Sequence, residues 1–157
     1  MTSKEIKIAY KEYSSIDELE PKDKELAQAA IDATAQAYAP YSKFNVGAAV
    51  LFEDGVIVKG SNQENAAYPS GLCAERTALF YASASRPDKA MVAISIAAVH
   101  NGELCETPAT PCGACRQVMA QYQLKSGLPM MVLLVGAHKI WKFDKVDDLL
   151  PLIFDSI

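Results

Sequence analysis

Hydrophobic and polar positions repeat with two different periods along the chain, and these periods distinguish candidate strands from candidate helices. FNVGAAVLFEDGVIVKG (44–60) has two β-rich halves around Asp54 and Gly55, a pair that favours a tight hairpin turn. Four more runs are typical of strands, the first two continuous and apolar and the last two short: MVAISIAAV (91–99), PMMVLLVG (129–136), KIWKF (139–143) and IKIAYKEY (6–13).

Helical spacing appears in three segments between these runs. PKDKELAQAAIDATAQAYA (21–39) has a proline at its start and apolar residues at helical intervals, and Pro40 follows it. The other predicted helices run from about Cys73 to Ser83 and from PCGACRQVMAQYQ (111–123), and VDDLLPLIF (146–154) predicts a terminal helical turn. Strands that alternate with helices after one hairpin predict a mixed α/β sheet with helices on both faces.

Composition narrows the class of protein. A chain of 157 residues, 50% hydrophobic and 22% charged, has the size and balance of one globular domain. Its net charge of -4 gives no electrostatic reason to bind nucleic acid. The sequence shows no apolar run of membrane-spanning length, and MTSKEIKIAYKEY lacks the apolar core of a signal peptide. We therefore expect a cytoplasmic protein with neither a membrane nor a nucleic acid as partner.

Three of the four cysteines stand at predicted helix starts. Cys112 and Cys115 form a C-x-x-C pair, which alone is compatible with half a zinc site, a redox pair or two small buried residues. Cys73 begins a different helix, and helix N-termini favour the thiolate form that binds metal. If both helices point at one spot, three thiolates meet there and leave the fourth position of a catalytic zinc open.

The combination of CAE (73–75) with PCGAC (111–115) is much more specific than either part. It follows the pattern of the zinc-dependent nucleoside and nucleobase deaminases, with cysteine at the first ligand position. The likeness extends over residues 22 to 154 and includes AYAPYSKFNVGAAV (37–50), GSNQENAAYPSGLCAERTALF (60–80) and PCGACRQVM (111–119). The chain resembles the cytidine deaminases that act on free nucleosides, in the small-subunit, three-cysteine, homotetrameric branch.

This resemblance implies a fold, an activity and an assembly. The expected fold is a three-layer α/β/α sandwich around a mixed five-stranded sheet, in a single domain over residues 1–157 with residues 1–20 as an N-terminal extension. The expected reaction is hydrolytic deamination of cytidine and 2'-deoxycytidine to uridine and 2'-deoxyuridine plus ammonia, a step of pyrimidine salvage. The expected assembly is a homotetramer.

The resemblance also assigns the catalytic residues. It implies one Zn²⁺ per chain, held by Cys73, Cys112 and Cys115, with Glu75 transferring protons between water and the pyrimidine. Arg76 stands in the first turn of a helix, where the helix dipole disfavours a cation. Donation from its guanidinium to the ligand sulfurs would draw charge from an anionic metal site and restore the acidity of zinc.

Substrate contacts are the remaining expectation. Asn62 and Glu64 are two residues apart, so both side chains face the same way on an extended segment and suit sugar hydroxyls. From the resemblance, the contacts to substrate come from Phe44, Asn62, Glu64, the backbone of Ala74, and Phe154 of a neighbouring subunit. His100 and His138 are expected not to be ligands, and Cys105 is expected to be a spare thiol.

Four alternatives are compared from the residues alone. A nucleic-acid-editing deaminase would use the same zinc chemistry but would need a basic groove, whereas this chain is acidic. A deaminase of another aminopyrimidine nucleoside, such as an antibiotic, would keep every catalytic residue and differ only in pocket contacts. A structural zinc protein would normally supply a fourth ligand, which is not apparent in the sequence. A thiol redox protein would leave Cys73 and Glu75 without a purpose.

Overall fold

The hairpin around Asp54 and Gly55 forms one side of the central sheet, and Gly55 adopts a positive φ of 86° in its turn. The computed structural model describes residues 1–155. Its strands are β1 (Lys11–Tyr13), β2 (Phe44–Phe52), β3 (Ile57–Ser61), β4 (Met91–His100), β5 (Glu103–Leu104), β6 (Met131–Val135) and β7 (Ile140–Phe143). Its α-helices are α1 (Pro21–Ala33), α2 (Ala74–Ser85) and α3 (Gly113–Ser126).

The strands form a mixed sheet in the order β1-β7-β6-β4-β2-β3, with β5 paired to the end of β4. All pairs are antiparallel except β4 with β6, which α3 connects. Since β3 and β4 each run antiparallel to β2, they run parallel to each other. The helices that follow them, α2 and α3, therefore begin at the same end of the sheet.

Helices cover both faces of the sheet, which confirms the three-layer α/β/α class. Side chains alternate along β4, because Ala93 and Ala97 face one side and Ile94 and Ile96 face the other. α1 packs on the first side through residues that include Leu26, Ala27 and Ala30. α2 and α3 pack on the second side through residues that include Ala78, Leu79 and Met119.

Close backbone approach seats α2 on the sheet. A Cβ atom placed on Gly60 of β3 would lie 2.5 Å from the backbone nitrogen of Ala78 in α2, so glycine is required at this contact. The helix therefore rests directly on the strand backbone. Its first residues, including Glu75, are held at a fixed height above the sheet.

The expected count of five strands is corrected to seven. β5 follows a turn at Asn101 and Gly102, where both residues have positive φ, so an Asn-Gly hairpin signal lies in a segment for which no strand was predicted. β1 lies in the N-terminal extension, and only Lys11–Tyr13 of the alternating run pairs with β7. The ring of Tyr10 stacks on Phe143 with centroids 5.2 Å apart, which docks the extension on the sheet.

Two helical predictions differ at their ends. α1 stops at Ala33 and continues as a 3-10 turn through Gln36, because the Thr34 hydroxyl bonds the carbonyl of Ile31 and begins the change in direction. The predicted terminal helical turn is a 3-10 turn at Val146–Asp148. Within residues 1–155, none of the helices combines the length and the apolar character needed to cross a membrane.

Candidate active site

Three cysteines meet where α2 and α3 begin. Cys73 is the N-cap residue of α2, Cys112 is the N-cap of α3, and Cys115 is buried in the first turn of α3. Their Sγ atoms all lie within 4.8 Å of one another, and those of Cys112 and Cys115 are 3.4 Å apart. The parallel course of β3 and β4 brings together residues that are far apart in the sequence.

The donor set fits zinc. Tetrahedral zinc with bonds of about 2.3 Å to sulfur sets its thiolates about 3.8 Å apart, which is compatible with a cluster whose sulfurs all lie within 4.8 Å of one another. Among the described residues, the cluster contains three ligands and no fourth His, Cys, Asp or Glu. Three protein ligands are typical of a catalytic zinc, whereas a structural zinc has four. Cys105 lies outside the cluster.

Hydrogen bonding and charge favour a thiolate at Cys73. The thiol of Cys115 hydrogen-bonds to Cys73, and this bond together with the guanidinium of Arg76 lowers the pKa of Cys73 to about 5. The same bond raises the pKa of Cys115, because its proton is held between the two sulfurs. Arg76 donates from Nη2 to Cys73 Sγ at 3.7 Å. Its buried Nε has no hydrogen-bond partner within residues 1–155.

Glu75 is a buried carboxyl beside the cluster. Its residue is 5% exposed, and burial raises the pKa of its carboxyl group, as does the neighbouring negative charge of Cys73. A buried carboxyl without an ion pair is costly, and its occurrence in a cleft next to metal ligands is typical of an acid or base in catalysis. Glu75 is therefore a group that can both take and give a proton.

A cavity of about 370 Å³ opens against the cysteine cluster and Glu75. Five of the residues expected in the site border it besides Cys73, Cys112 and Glu75, namely Phe44, Asn62, Glu64, Ala74 and Arg76. The remaining expected contact, Phe154, does not border the cavity of its own chain. The cavity suits a molecule the size of a nucleoside, with an apolar part near Phe44 and a polar part near Glu64.

Asn62 and Glu64 are fixed by backbone contacts. The Asn62 side chain accepts from the Val46 amide at 2.8 Å and donates to the Phe44 carbonyl at 2.9 Å, so it also fastens the start of β2. Glu64 accepts from the Tyr41 amide at 2.9 Å, and a hydrogen bond from the Ser42 side chain lowers the pKa of its carboxyl group. Each side chain keeps unused hydrogen-bonding capacity toward the cavity.

The C-terminal segment carries Phe154 away from the cavity. Leu150 and Ile153 pack against the core, whereas the Phe154 residue is 66% exposed. The side chain of Gln117 bonds both the backbone nitrogen and the backbone oxygen of Phe154. An aromatic residue is thus held by its main chain while its ring stays exposed to solvent.

Several residues that line the cavity were not predicted from the sequence. Val46 and Ile96 line the apolar wall from neighbouring strands, and Thr110 borders the opening just before Pro111. Ile96 lies inside a run that is apolar except for Ser95, and this pattern does not distinguish a pocket residue from a core residue. His100 lies outside the cysteine cluster, and its ring is 5.9 Å from that of Phe44.

Comparison with known proteins gives one consistent family. The model of the cytidine and deoxycytidylate deaminase zinc-binding region matches residues 20–130. The cytidine deaminase of Halalkalibacterium halodurans is 52% identical over 97 residues, which cover 61% of this chain and 68% of that protein. The cytidine deaminase of Mycobacterium tuberculosis is 42% identical over 93 residues, which cover 59% of this chain and 65% of the relative.

Solved structures extend the likeness over most of the fold. The cytidine deaminase structure from Burkholderia pseudomallei has a TM-score of 0.67 and 39% identity, and the match covers 83% of this chain and 97% of that one. The Mycobacterium tuberculosis structure has a TM-score of 0.66 and 32% identity, over 84% and 96% of the two chains. Together with the cysteine cluster, these matches show that the chain belongs to the cytidine and deoxycytidylate deaminase zinc-binding family.

Proposed function

We propose that this protein removes the amino group of cytidine and 2'-deoxycytidine by hydrolysis of its bond to C4, giving uridine or 2'-deoxyuridine and ammonia. The observation that carries the proposal is a buried carboxyl, Glu75, beside three thiols that fit zinc at the base of a nucleoside-sized cavity. Relatives named cytidine deaminase support it. We further propose that the protein acts in the cytoplasm, where thiols stay reduced. We also propose that residues 1–157 form one domain, with residues 1–20 as an N-terminal extension.

Cys73, Cys112 and Cys115 would hold the zinc. When bound, zinc supplies a Lewis acid that makes a water nucleophilic near neutral pH. Glu75 takes a proton from the water that attacks C4 of the pyrimidine and delivers it to N3. Glu75 then assists transfer of a proton to the amino group, which leaves as ammonia. A carboxyl whose pKa is raised by burial suits this cycle, because it has to be protonated in the middle of turnover.

Arg76 balances the charge of this centre. Three thiolates with one Zn²⁺ carry a formal charge of about -1, which weakens the Lewis acid. The guanidinium of Arg76 donates to Cys73 Sγ, withdraws electron density from that ligand and restores acidity. The favourable interaction with the anionic centre compensates for the unfavourable position of this cation at the start of α2.

The cavity walls orient the nucleoside. Phe44 packs on the pyrimidine ring, and the backbone amide of Ala74, in the unpaired first turn of α2, donates to the base carbonyl. Asn62 and Glu64 bind sugar hydroxyls with the hydrogen-bonding capacity that their backbone contacts leave free. Sugar contacts supply orientation as well as affinity, so we expect free cytosine to be a poor substrate.

An ultraviolet assay of substrate loss tests this proposal, with cytidine, deoxycytidine, cytosine, dCMP and an oligonucleotide compared at equal concentration. We expect both nucleosides to react and kcat/KM for dCMP to be at least about tenfold below that for deoxycytidine, because a 5'-phosphate meets the carboxylate of Glu64. A Glu64→Gln variant should keep its zinc, bind nucleosides more weakly and show a smaller difference between these two substrates. Equal kcat/KM for dCMP and deoxycytidine in the unmodified protein would contradict the proposal.

We further propose a homotetramer in which Phe154 of one subunit enters the cavity of a neighbour and packs on the base. Three observations support a shared site: the exposure of Phe154, its absence from the cavity of its own chain, and the docked segment that carries it. Exposed aromatic residues on an ordered segment are typical of contacts between subunits.

Mixed oligomers test the shared site. Glu75→Gln and Phe154→Ala chains, co-expressed with different tags, should form some cavities with Glu75 from one chain and Phe154 from another. Random mixing in equal amounts makes about a quarter of the cavities complete, so we expect activity above the mean of the two parent variants. Tandem purification establishes that the oligomers are mixed. Activity no higher than that mean, or full activity in a monomer, would refute the shared site.

A further inference from the structure

Gln117 makes an unusual pair of hydrogen bonds with a single residue. Its side-chain Nε2 donates to the Phe154 carbonyl at 2.7 Å, and its Oε1 accepts from the Phe154 amide at 3.2 Å. The amide group of the side chain thus reproduces the two-bond pairing of neighbouring strands. Both bonds are made to main-chain atoms, so they fix the position and direction of the Phe154 backbone.

This type of hold suits a ring that must leave its own chain. A ring that packs on another subunit cannot be positioned by packing within its own core, and the Phe154 residue is 66% exposed. Such a ring can instead be positioned by fixing its main chain, which Gln117 does from the first turns of α3. Both bonds lie at the surface, so they order the segment more than they stabilise the fold.

The preceding residue of α3 holds the other end of the segment. Arg116 donates from Nη1 to the Leu149 carbonyl at 3.0 Å and from Nε to the Pro111 carbonyl at 2.8 Å. Pro111 directly precedes Cys112, and Cys115 directly precedes Arg116. The helix that begins at two of the three cysteines therefore also binds the C-terminal segment at two points, Leu149 through Arg116 and Phe154 through Gln117.

We propose that Gln117 is a positioning residue, which presents Phe154 to the cavity of the neighbouring subunit. Arg116 secures the start of the same segment, so α3 couples the cysteine cluster of one subunit to the base-binding surface of the next. This inference rests on the proposed deaminase function and its shared site. It assigns to Gln117 an effect on the binding of nucleoside and none on the binding of zinc or on proton transfer.

A double-mutant cycle with Gln117→Met and Phe154→Ala tests the inference. Methionine keeps the length and helix propensity of glutamine but removes both hydrogen bonds. For Gln117→Met we expect KM for cytidine to rise about fivefold to tenfold, with kcat within about twofold, since base packing is felt in both ground and transition states. In the Phe154→Ala background the same substitution should change kcat/KM by less than about twofold.

The matched control is Gln121→Met, one turn further along α3. Gln121 is exposed and makes no side-chain hydrogen bond within the described residues, so its substitution should leave KM unchanged. Zinc content and sedimentation are measured for every variant. Equal effects of Gln117→Met with and without Phe154, or loss of the assembly in Gln117→Met while Phe154→Ala stays assembled, would overturn the positioning role. If Phe154→Ala itself leaves KM unchanged, the shared site fails first, whereas the deaminase activity is tested separately by the substrate assay.

Discussion

A Glu75→Gln variant should keep its zinc and lose about three orders of magnitude in kcat. Glutamine has nearly the same shape, so the buried position beside the cysteine cluster stays filled. It cannot accept a proton from water or deliver one to N3, and positioned acid-base groups contribute about a hundredfold to ten-thousandfold in rate. Both proton transfers pass through this single carboxyl, which places the expected loss toward the upper part of that range.

The measurement is kcat for cytidine together with zinc per chain. Glu25→Gln is a matched control, because this residue is exposed on α1, which packs on the opposite face of the sheet, and should show unchanged activity. If Glu75→Gln retains more than about a tenth of the activity with its zinc in place, the proton-transfer role of Glu75 is wrong.

Substitution of a cysteine ligand should have the second large effect. Cys115 is buried in the first turn of α3, within 4.8 Å of the other two sulfurs. Cys115→Ala removes one of three ligands, so we expect the zinc content to fall from about one ion per chain to less than about a tenth. Because bound metal stabilises the folded state by mass action, the Tm should fall by several degrees as well.

Elemental analysis and calorimetry of purified protein measure the two effects. Cys105→Ala is the matched control, since Cys105 is partly buried but lies outside the cluster. It should keep its zinc. Full zinc occupancy in both Cys115→Ala and Cys112→Ala would exclude the assigned ligand set.

The sequence predicts those parts of the fold that depend on local signals. Asp54 and Gly55 indicate the hairpin, and the apolar runs indicate β4 and β6, because turn chemistry and period are local properties. Part of the cysteine cluster is also predictable, since the spacing in PCGAC places two sulfurs on one face of a helix. That Cys73 joins them depends on strand order, which the family resemblance supplied and no local pattern contains.

Features that depend on register or on tertiary contacts were not predictable. The Asn62 side chain hydrogen-bonds the backbone of Phe44 and of Val46 in β2. Asn62 comes next to these residues only because β2 pairs with β3, which Asn62 directly follows. The bonds from Gln117 to Phe154 join residues 37 apart, and neither residue carries a sequence signal for the other. β5 is an exception, because the Asn-Gly signal at 101 and 102 is present in the sequence although no strand was predicted there.

The two outer strands of the sheet restrict how copies of this protein can associate. An unpaired strand edge invites another strand, and proteins counter this with short edges and charged residues, lysine above all. β1 has three residues and exposes Lys11 and Glu12, while β3 has five residues with exposed Lys59 at its centre. Growth of the sheet from one copy into the next is disfavoured at both edges. Copies of the protein are therefore expected to associate through side-chain surfaces, which can form closed assemblies. Open-ended addition of strands, which leads to aggregates, is disfavoured.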